Sequence, residues 1–272
     1  MRHIKKKPYS EADAQAVIRV FKTHHGSFGR RVLKRELEKE QIYLSEHKIS
    51  LIMKDNDLTA KYGRKKCTNV HTHKESAKKY VAKNIYWETK AEERPQQAWS
   101  MDFTEEKIAG KTVYTCGIIS IKDKILVSRI TGERNNAQTA CKAVMQAIER
   151  YGIPEMILTD RGSPFTSESF HNLLEEKKII HSMSRAHTPR DNRYIESFWH
   201  TMKTEIGSTQ GMTLEEYKMI MDYYEYYYNN LRPHSRLNYE APLTAKRGNG
   251  CDVKPRRLRL LSFTSQPLRK CH

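Results

Sequence analysis

Apolar residues recur along the chain with two different spacings, and the change of spacing predicts where strands and helices lie. Five short runs have the composition of strands, at residues 99–104, 112–121, 124–131, 156–159 and 179–183. Three stretches repeat apolar residues every three or four positions, as amphipathic helices do, at residues 136–151, 167–178 and 194–206. Their order predicts an α/β fold in which a mixed five-stranded sheet has helices on both sides.

The first 58 residues follow a purely helical pattern. Ser10 and Ser45 are the expected N-caps of the first and third of three short helices, with the second at residues 29–39. Short helices joined by tight turns in a basic segment predict a small all-α, helix-turn-helix-like domain, residues 1–58, whose last helix enters the major groove of DNA. The DNA contacts of that helix would be His47, Lys48 and Lys54. The alternative is a three-helix cap that packs on the core and reads no DNA.

Charge is distributed unevenly along the chain. Of the net charge of +17, residues 1–95 contribute +11 and residues 246–272 contribute +7, while residues 96–245 are close to neutral at −1. We therefore expect a basic linker at 59–95, an α/β core at 96–245 and a basic C-terminal tail at 246–272. A near-neutral core between two basic arms is typical of a protein that follows phosphate backbones. The alternative is a basic surface that serves solubility alone.

Cysteine content and hydropathy narrow the class of protein further. The five cysteines are odd in number and far apart, which argues against a disulfide framework and favours a reducing cytoplasm. No apolar run is long enough to cross a membrane, and the first residues lack the apolar segment of a signal peptide. Cys67, His71 and His73 lie close together, but no Cys-x-x-Cys pair completes a zinc site.

Three acidic residues fall where the predicted elements can bring them together. Asp102 lies within the first strand, Asp160 follows the fourth, and Glu196 lies early in the helix at 194–206. A strand Asp, a strand-end Asp and a helix Glu form the layout of a ribonuclease-H-like polynucleotidyl transferase. Their hard oxygen atoms favour Mg²⁺ or Mn²⁺. Two such ions stabilise the negative charge that builds on a phosphodiester under attack.

Several motifs lie in the order and spacing of a known family. They read LTDRGSPFTS, SMSR, DN, IESFW, MKTE and YNNLRPH, at residues 158–167, 182–185, 191–192, 195–199, 202–205 and 228–234. On these motifs, residues 96–245 resemble the catalytic core of DDE transposases and retroviral-type integrases, specifically the OrfB type of the insertion-sequence "three" family. The N-terminal helices resemble the small helical domain that precedes the core in that family.

The resemblance implies roles for individual residues. It implies that Asp102, Asp160 and Glu196 are catalytic and bind two ions, Mg²⁺ or Mn²⁺, and that Lys203, seven residues after the Glu, contacts DNA. It implies cleavage that frees the 3′ ends of an insertion element, then attack of the 3′-hydroxyl on a second phosphodiester. Three further residues near the acids would contact either DNA or the surrounding loop: Arg161, Asn192 and Arg193.

The expected partners follow from the same resemblance. They are double-stranded DNA, as element ends and as target, and further copies of the chain on that DNA, in the bacterial cytoplasm at the nucleoid. No leucine-zipper heptad is present in the sequence. In this family an upstream reading frame, joined by ribosomal frameshifting, supplies the zipper and the recognition of element ends. We therefore expect an upstream-frame protein or fusion as another partner.

The sequence departs from the usual family pattern in two places and leaves two other functions open. Ala186 and His187 stand where a Lys-Gly pair is common, and Ser120 stands where an Asp is common. One alternative is a non-catalytic DNA-binding regulator that retains the transposase fold, for which replacing Asp160 would change no cleavage. The other is a ribonuclease H acting on RNA–DNA hybrids, although those enzymes space their acidic residues differently.

Overall fold

Three helices form an N-terminal domain in the computed structural model, which describes residues 8–61, 80–186 and 188–248. They are α1 (Glu11–Thr23), α2 (Arg30–Lys39) and α3 (Glu46–Asp55). Ser10 caps α1 in a reciprocal capping box with Asp13, and Ser45 caps α3 by accepting a hydrogen bond from the Lys48 N–H. The apolar faces of the helices close a core of their own, which includes Val17, Phe21, Leu33, Leu37, Ile49 and Ile52. The predicted helical domain is confirmed.

The next described segment begins at residue 80 and packs against the sheet. Residues 80–95, within the segment that we expect to be a linker, hold the short helix α4 (Ile85–Glu88) and a turn of 3₁₀ helix at Ala91–Glu93. The Tyr80 N–H donates to the Thr166 carbonyl, and the Tyr86 N–H donates to the Ser182 hydroxyl. Residues 62–79, with the Cys67, His71 and His73 group, lie outside the described residues. So does the tail beyond residue 248.

Five strands form one mixed sheet. They are β1 (Ala98–Ile108), β2 (Lys111–Ser120), β3 (Leu126–Gly132), β4 (Met156–Thr159) and β5 (Ile180–Met183), in the spatial order β3-β2-β1-β4-β5. β2 is antiparallel to both of its neighbours, β1 and β3, whereas β4 is parallel to both β1 and β5. The predicted α/β fold with a mixed five-stranded sheet is confirmed. β1 is the central strand in this order, and it is where antiparallel pairing on one side changes to parallel pairing on the other.

Alternate residues along the strands pack against helices on opposite faces of the sheet. On one face, Met101 and Ile118 pack with α5 (Ala137–Tyr151) and α6 (Glu168–Glu176). On the other, Ile119 and Leu126 pack with α7 (Arg193–Ile206) and α8 (Leu214–Asn230). The last described element is α9 (Pro242–Gly248). Among the helices of the described residues, none combines the length and the apolar character that crossing a bilayer would require.

The helical domain rests on the α8 side of the core. His24 Nδ1 lies 3.1 Å from the Tyr227 hydroxyl oxygen, and the Arg232 guanidinium carbon lies 5.4 Å from the centre of the Phe28 ring. Lys39 Nζ donates to the Tyr239 carbonyl at 3.0 Å. These contacts use α1, α2 and the turn between them. The outer face of α3 therefore remains exposed.

Candidate active site

Asp102 and Asp160 are brought together by the parallel pairing of β1 with β4. The register pairs Ser100 with Leu158, so continuing it by two residues on each strand places Asp102 beside Asp160. β4 is buried at all four positions and ends at Thr159, so Asp160 is the first residue that leaves the sheet. The carboxyl end of a strand next to the central strand is where side chains on adjacent strands can act on one ligand.

The turn after β4 holds the Asp160 side chain. The Gly162 N–H donates to Asp160 Oδ1 at 2.8 Å. A Cβ atom at Gly162 would lie 2.9 Å from the same oxygen, which is too close for any other residue without a shift. Behind Asp160, the Thr159 hydroxyl lies 2.9 Å from Nε2 of His181 on β5. The D-R-G sequence is therefore explained by the geometry of this turn.

Hydrogen bonds between the residue before α7 and strand β1 fix the position of Glu196. The Ser100 hydroxyl donates to Asn192 Oδ1 at 2.7 Å, and the Asn192 amide donates to the Met101 carbonyl at 3.4 Å. Ile195 is fully buried beneath the helix. Because Asn192 bonds to the two residues that precede Asp102, the first turn of α7, with Glu196, is held beside that residue.

The three carboxylates share one electrostatic environment. Burial raises the pKa of Asp102 well above its ordinary value, and the negative charges of Asp160 and then Glu196 raise it further. This effect requires the three groups to be near one another. No three His, Cys, Asp or Glu side chains within the described residues are close enough to form a set of metal ligands. The acids are therefore neighbours that have not closed around a common point.

Their chemistry nevertheless fits divalent cations. Carboxylate oxygens are the ligands that Mg²⁺ and Mn²⁺ prefer, and positive charge between mutually repelling acids would stabilise their ionised forms.

Trp199 is a neighbour of this site whose role the sequence did not reveal. Its indole N–H is buried and makes no regular hydrogen bond within the described residues, although it lies close enough to Asp102 to oppose slightly the rise of that pKa. Gly117, which pairs with Asp102 across β1 and β2, has space only for a hydrogen atom, because a Cβ there would lie 2.5 Å from the Trp199 ring. The signals available in the sequence were a glycine within a predicted strand and a large aromatic residue on a predicted helix. Their contact is visible only in the structure.

The predicted basic contacts lie around the acids. Arg161 is exposed, and its Nε donates to the Ser184 carbonyl at 2.9 Å. Lys203 pairs with Glu106 at 2.8 Å near the far end of β1. Arg193 is exposed and stacks over the Trp87 ring at 4.5 Å. In contrast, Asn192 is 3% exposed and its amide is bonded to β1, as in the loop-bonding alternative. Its contact with DNA stays a prediction.

The contacts predicted in the helical domain lie apart from the carboxylates. His47 and Lys54 are exposed on α3, and Lys48 is partly exposed. The structure therefore places them on an outer surface of the N-terminal domain, away from its packing with α8. It neither joins them to the acidic site nor buries them.

Models of known protein families match both the helical domain and the α/β core. Two models described as integrase core domain match residues 92–189 and 177–242, and a model described as HTH-like domain matches residues 8–66. The two core matches together span residues 92–242, and this part of the chain belongs to the integrase-core family. Its resemblance to insertion-sequence transposases of the OrfB type is confirmed by the relatives that follow.

The relatives of this integrase-core chain include proteins of bacterial insertion elements. It is 29% identical over 221 residues to the 31 kDa protein of insertion element IS600 from Shigella sonnei, covering 79% of this chain and 80% of that protein. It is 27% identical over 233 residues to the transposase for insertion sequence element IS904 from Lactococcus lactis, covering 84% and 91%. It is 28% identical over 145 residues to transposase InsF for insertion sequence IS3A from Escherichia coli, covering 52% and 50%.

The fold is similar to that of one chain in a solved intasome structure. A chain of the simian T-cell lymphotropic virus intasome in complex with PP2A regulatory subunit B56 gamma matches with a TM-score of 0.51 and 13% identity, covering 94% of this chain and 80% of that chain. At this level of identity the match supports the integrase-core fold and carries no information on individual residues.

Two acidic residues in the motifs of this integrase-core chain have structural partners instead of a place among the carboxylates. Glu205 is 3% exposed, pairs with Arg232 at 2.9 Å and accepts a hydrogen bond from the Tyr224 hydroxyl at 2.8 Å. Asp191 accepts hydrogen bonds from the Asn84 amide at 2.5 Å and from the Arg185 side chain. Glu205 therefore joins α7 to the end of α8, and Asp191 holds the loop before α7.

Proposed function

We propose that the chain catalyses metal-dependent cleavage and strand transfer of DNA at the ends of an insertion element. Asp102, Asp160 and Glu196 are the proposed catalytic residues and metal ligands. The observation that carries the proposal is geometric: the pairing of β1 with β4 places Asp102 beside Asp160, and the Asn192 bonds to β1 hold the helix of Glu196 next to them. Membership of the integrase-core family and the transposases among the relatives support it.

The three acids would hold two Mg²⁺ ions, or Mn²⁺ in their place. When bound, such ions stabilise the negative charge that develops on phosphate oxygens and activate the attacking oxygen. The protein contributes the positions of the ligands. The Gly162 N–H holds Asp160, and Asn192 holds the helix that carries Glu196. Arg161 and Lys203 lie on the surrounding surface, where phosphates of the substrate can be bound.

The proposed reaction has two displacements at phosphorus. In the first, water attacks a phosphodiester at the element end, and the bond to the 3′ oxygen breaks to leave a 3′-hydroxyl and a 5′-phosphate. In the second, that 3′-hydroxyl attacks a target phosphodiester and releases a new 3′-hydroxyl on the target strand. Each bond broken is matched by one formed, so no covalent intermediate with the protein is required.

The helical domain would supply a second contact with DNA. The exposed face of α3, with His47, Lys48 and Lys54, is proposed to enter the major groove, while α1 and α2 pack on the core. Association of several copies on DNA, and binding of an upstream-frame protein, belong to the same proposal. The mass of the complex formed on element ends, with and without that protein, tests both.

Cleavage of element-end DNA is the decisive assay for this function. We expect the chain, with its upstream-frame portion supplied in the same reaction, to nick and join DNA carrying the element ends when Mg²⁺ is present. Asp160→Asn and Glu196→Gln should each lower the rate by at least about 100-fold, because each removes a ligand worth several kcal/mol of transition-state stabilisation. Glu149→Gln, an exposed change on α5, is the matched control and should retain the rate.

The other outcomes separate the alternatives. Cleavage that survives both carboxylate changes would contradict the proposed site. DNA binding with no cleavage under any condition would favour the non-catalytic regulator. Preferential cleavage of the RNA strand of a hybrid duplex would favour a ribonuclease H.

A further inference from the structure

A group of cations lies one helical turn before Glu196, around two aromatic rings at the start of α7 and in α4. We define the cation–aromatic cluster as Arg94, Lys124, Arg193 and Arg236 with the rings of Trp87 and Tyr194. The two rings stack nearly parallel, with centres 5.9 Å apart and planes inclined by 4°. Three cations from separate segments lie against these rings, and the charge of Arg236 acts on Lys124.

The aromatic rings hold three of the cations in place. The Arg193 guanidinium lies 4.5 Å from the centre of the Trp87 ring, the Arg94 guanidinium lies 4.8 Å from it, and Lys124 Nζ lies 5.0 Å from the centre of the Tyr194 ring. A cation–π contact orients a charge but does not neutralise it, because the ring carries no net charge. Lys124 Nζ also donates to the Ile121 carbonyl, and Arg94 Nε donates to the carbonyls of residues 86 and 89. The remaining N–H groups of these two cations, and the Arg193 guanidinium, can bind an anion.

Carboxylates of the described residues compensate the cluster only in part, through the charge of Asp123, which raises the pKa of Lys124. Within residues 80–186 and 188–248, none of its four cations forms an ion pair, and the adjacent Asp123 carboxylate is bound by Lys246 at 3.0 Å. Burial lowers the pKa of Lys124 to about 8, and the charges of Arg236 and Arg193 lower it further. The pKa of the neighbouring His234 falls to about 4 through burial first and then through Arg232, Lys124 and Arg236. Positive charge is concentrated here beyond what the protein itself compensates.

The position of the cluster links it to the acidic site. Arg193 precedes Glu196 by three residues on α7, so the two side chains lie on one side of the helix, about 4.5 Å apart along its axis. A nucleic-acid strand advances about 3.4 Å per nucleotide, so a strand bound at the acids would reach the cluster within a few nucleotides.

We propose that the cation–aromatic cluster binds the phosphates of the DNA strand that flanks the bond cleaved at the acidic site. Lys124, Arg193 and Arg236 contact phosphate oxygens, and Trp87 and Tyr194 fix the directions of the charges. This inference rests on the proposed function. It assigns a second DNA contact to the end of α7 opposite Lys203, so that DNA runs along the length of the helix.

The salt dependence of DNA binding by the full chain tests the cluster. The probe is a duplex carrying an element end, and the variants are Lys124→Gln, Arg193→Gln and Arg236→Gln. Each phosphate contact contributes about 0.9 to the slope of log affinity against log salt, so each variant should lower the slope by about one. Lys218→Gln on α8 and Arg134→Gln before α5 remove exposed cations outside the cluster and should leave the slope unchanged.

The results distinguish this inference from the proposed function. Slopes that stay at the wild-type value in all three variants, while the chain still cleaves DNA, would overturn the cluster and leave the function standing. Reduced slopes in a chain that never cleaves DNA would uphold the cluster and overturn the function. Arg236 is exposed, so Arg236→Gln is expected to fold even where Lys124→Gln perturbs the β2–β3 turn, and thermal melting identifies any such loss.

Discussion

At the scale of single residues, the acidic site depends on neighbours that carry no charge. Gly117 lets the Trp199 ring lie directly against β2, and that ring in turn places a buried N–H beside Asp102. Gly162 does the same for Asp160 by leaving room for its carboxylate oxygen. The proposed catalytic acids are thus positioned by the shape of the surfaces around them as much as by hydrogen bonds.

A substitution at Gly117 tests this packing. Gly117→Ala should lower the free energy of unfolding by about 1–3 kcal/mol, because the new methyl group overlaps the Trp199 ring and the core must shift to accept it. Chemical denaturation measures the change. Gly132→Ala, at the end of β3 where no atom lies within 4 Å of the added Cβ, is the matched control. If Gly117→Ala is as stable as that control, the close packing of the indole is not required.

Asn192 is a residue whose role could not be decided from the sequence. Asn192 precedes Glu196 by four residues and is polar, so the sequence permits both a DNA contact and a structural bond. Its burial follows from Ser100 and Met101, about ninety residues earlier in the chain, and no local pattern reports such a pairing. The placement of the acids was predicted on the elements that carry them, Asp102 within a strand, Asp160 after a strand and Glu196 on a helix, while their catalytic role stays a prediction.

At the scale of elements, the sequence predicted most of the architecture. The switch between periods of two and 3.6 identified the five strands and the helices between them, since each has one buried face or is buried on both. The packing of residues 80–95 was not visible. That segment is polar and basic, yet Asn84 and Tyr86 are buried because Asp191 and Ser182 supply their partners from distant elements.

His181, on strand β5, predicts that the stability of the fold depends on pH. Burial, and then the charge of His171, lowers the pKa of His181 on β5 to about 4 from an ordinary value of 6.5. Between those values the unfolded chain takes up a proton that the folded chain refuses, so this contribution to stability falls as the pH falls from 6.5 towards 4. The loss from this residue should reach roughly 2 kcal/mol at pH 4.5.

Replacing the imidazole isolates that contribution. His181→Gln removes the titrating group, so the difference in unfolding free energy between wild type and variant should shrink by the same amount as the pH is lowered from 7 to 4.5. Urea denaturation at a series of pH values measures it. A difference that stays constant with pH would show that His181 does not remain neutral in the folded chain.

At the scale of the whole molecule, one helix organises the contacts proposed for DNA. α7 carries Arg193 near its start, Glu196 one turn later and Lys203 towards its end, and Asn192 fastens it to the central strand. The helical domain packs on α8, which lies on the same face of the sheet, and keeps the outer face of α3 exposed. The basic charge of the whole chain, +17, is consistent with contact along an extended phosphate backbone.

The central claim is that Asp102, Asp160 and Glu196 close around shared ions, and anomalous diffraction from crystals of the chain bound to element-end DNA with Mn²⁺ tests it most directly. The account predicts two anomalous peaks about 3.5–4 Å apart, ligated by these three carboxylates. Mn²⁺ bound elsewhere in an ordered complex, with the three side chains still separate, would contradict it.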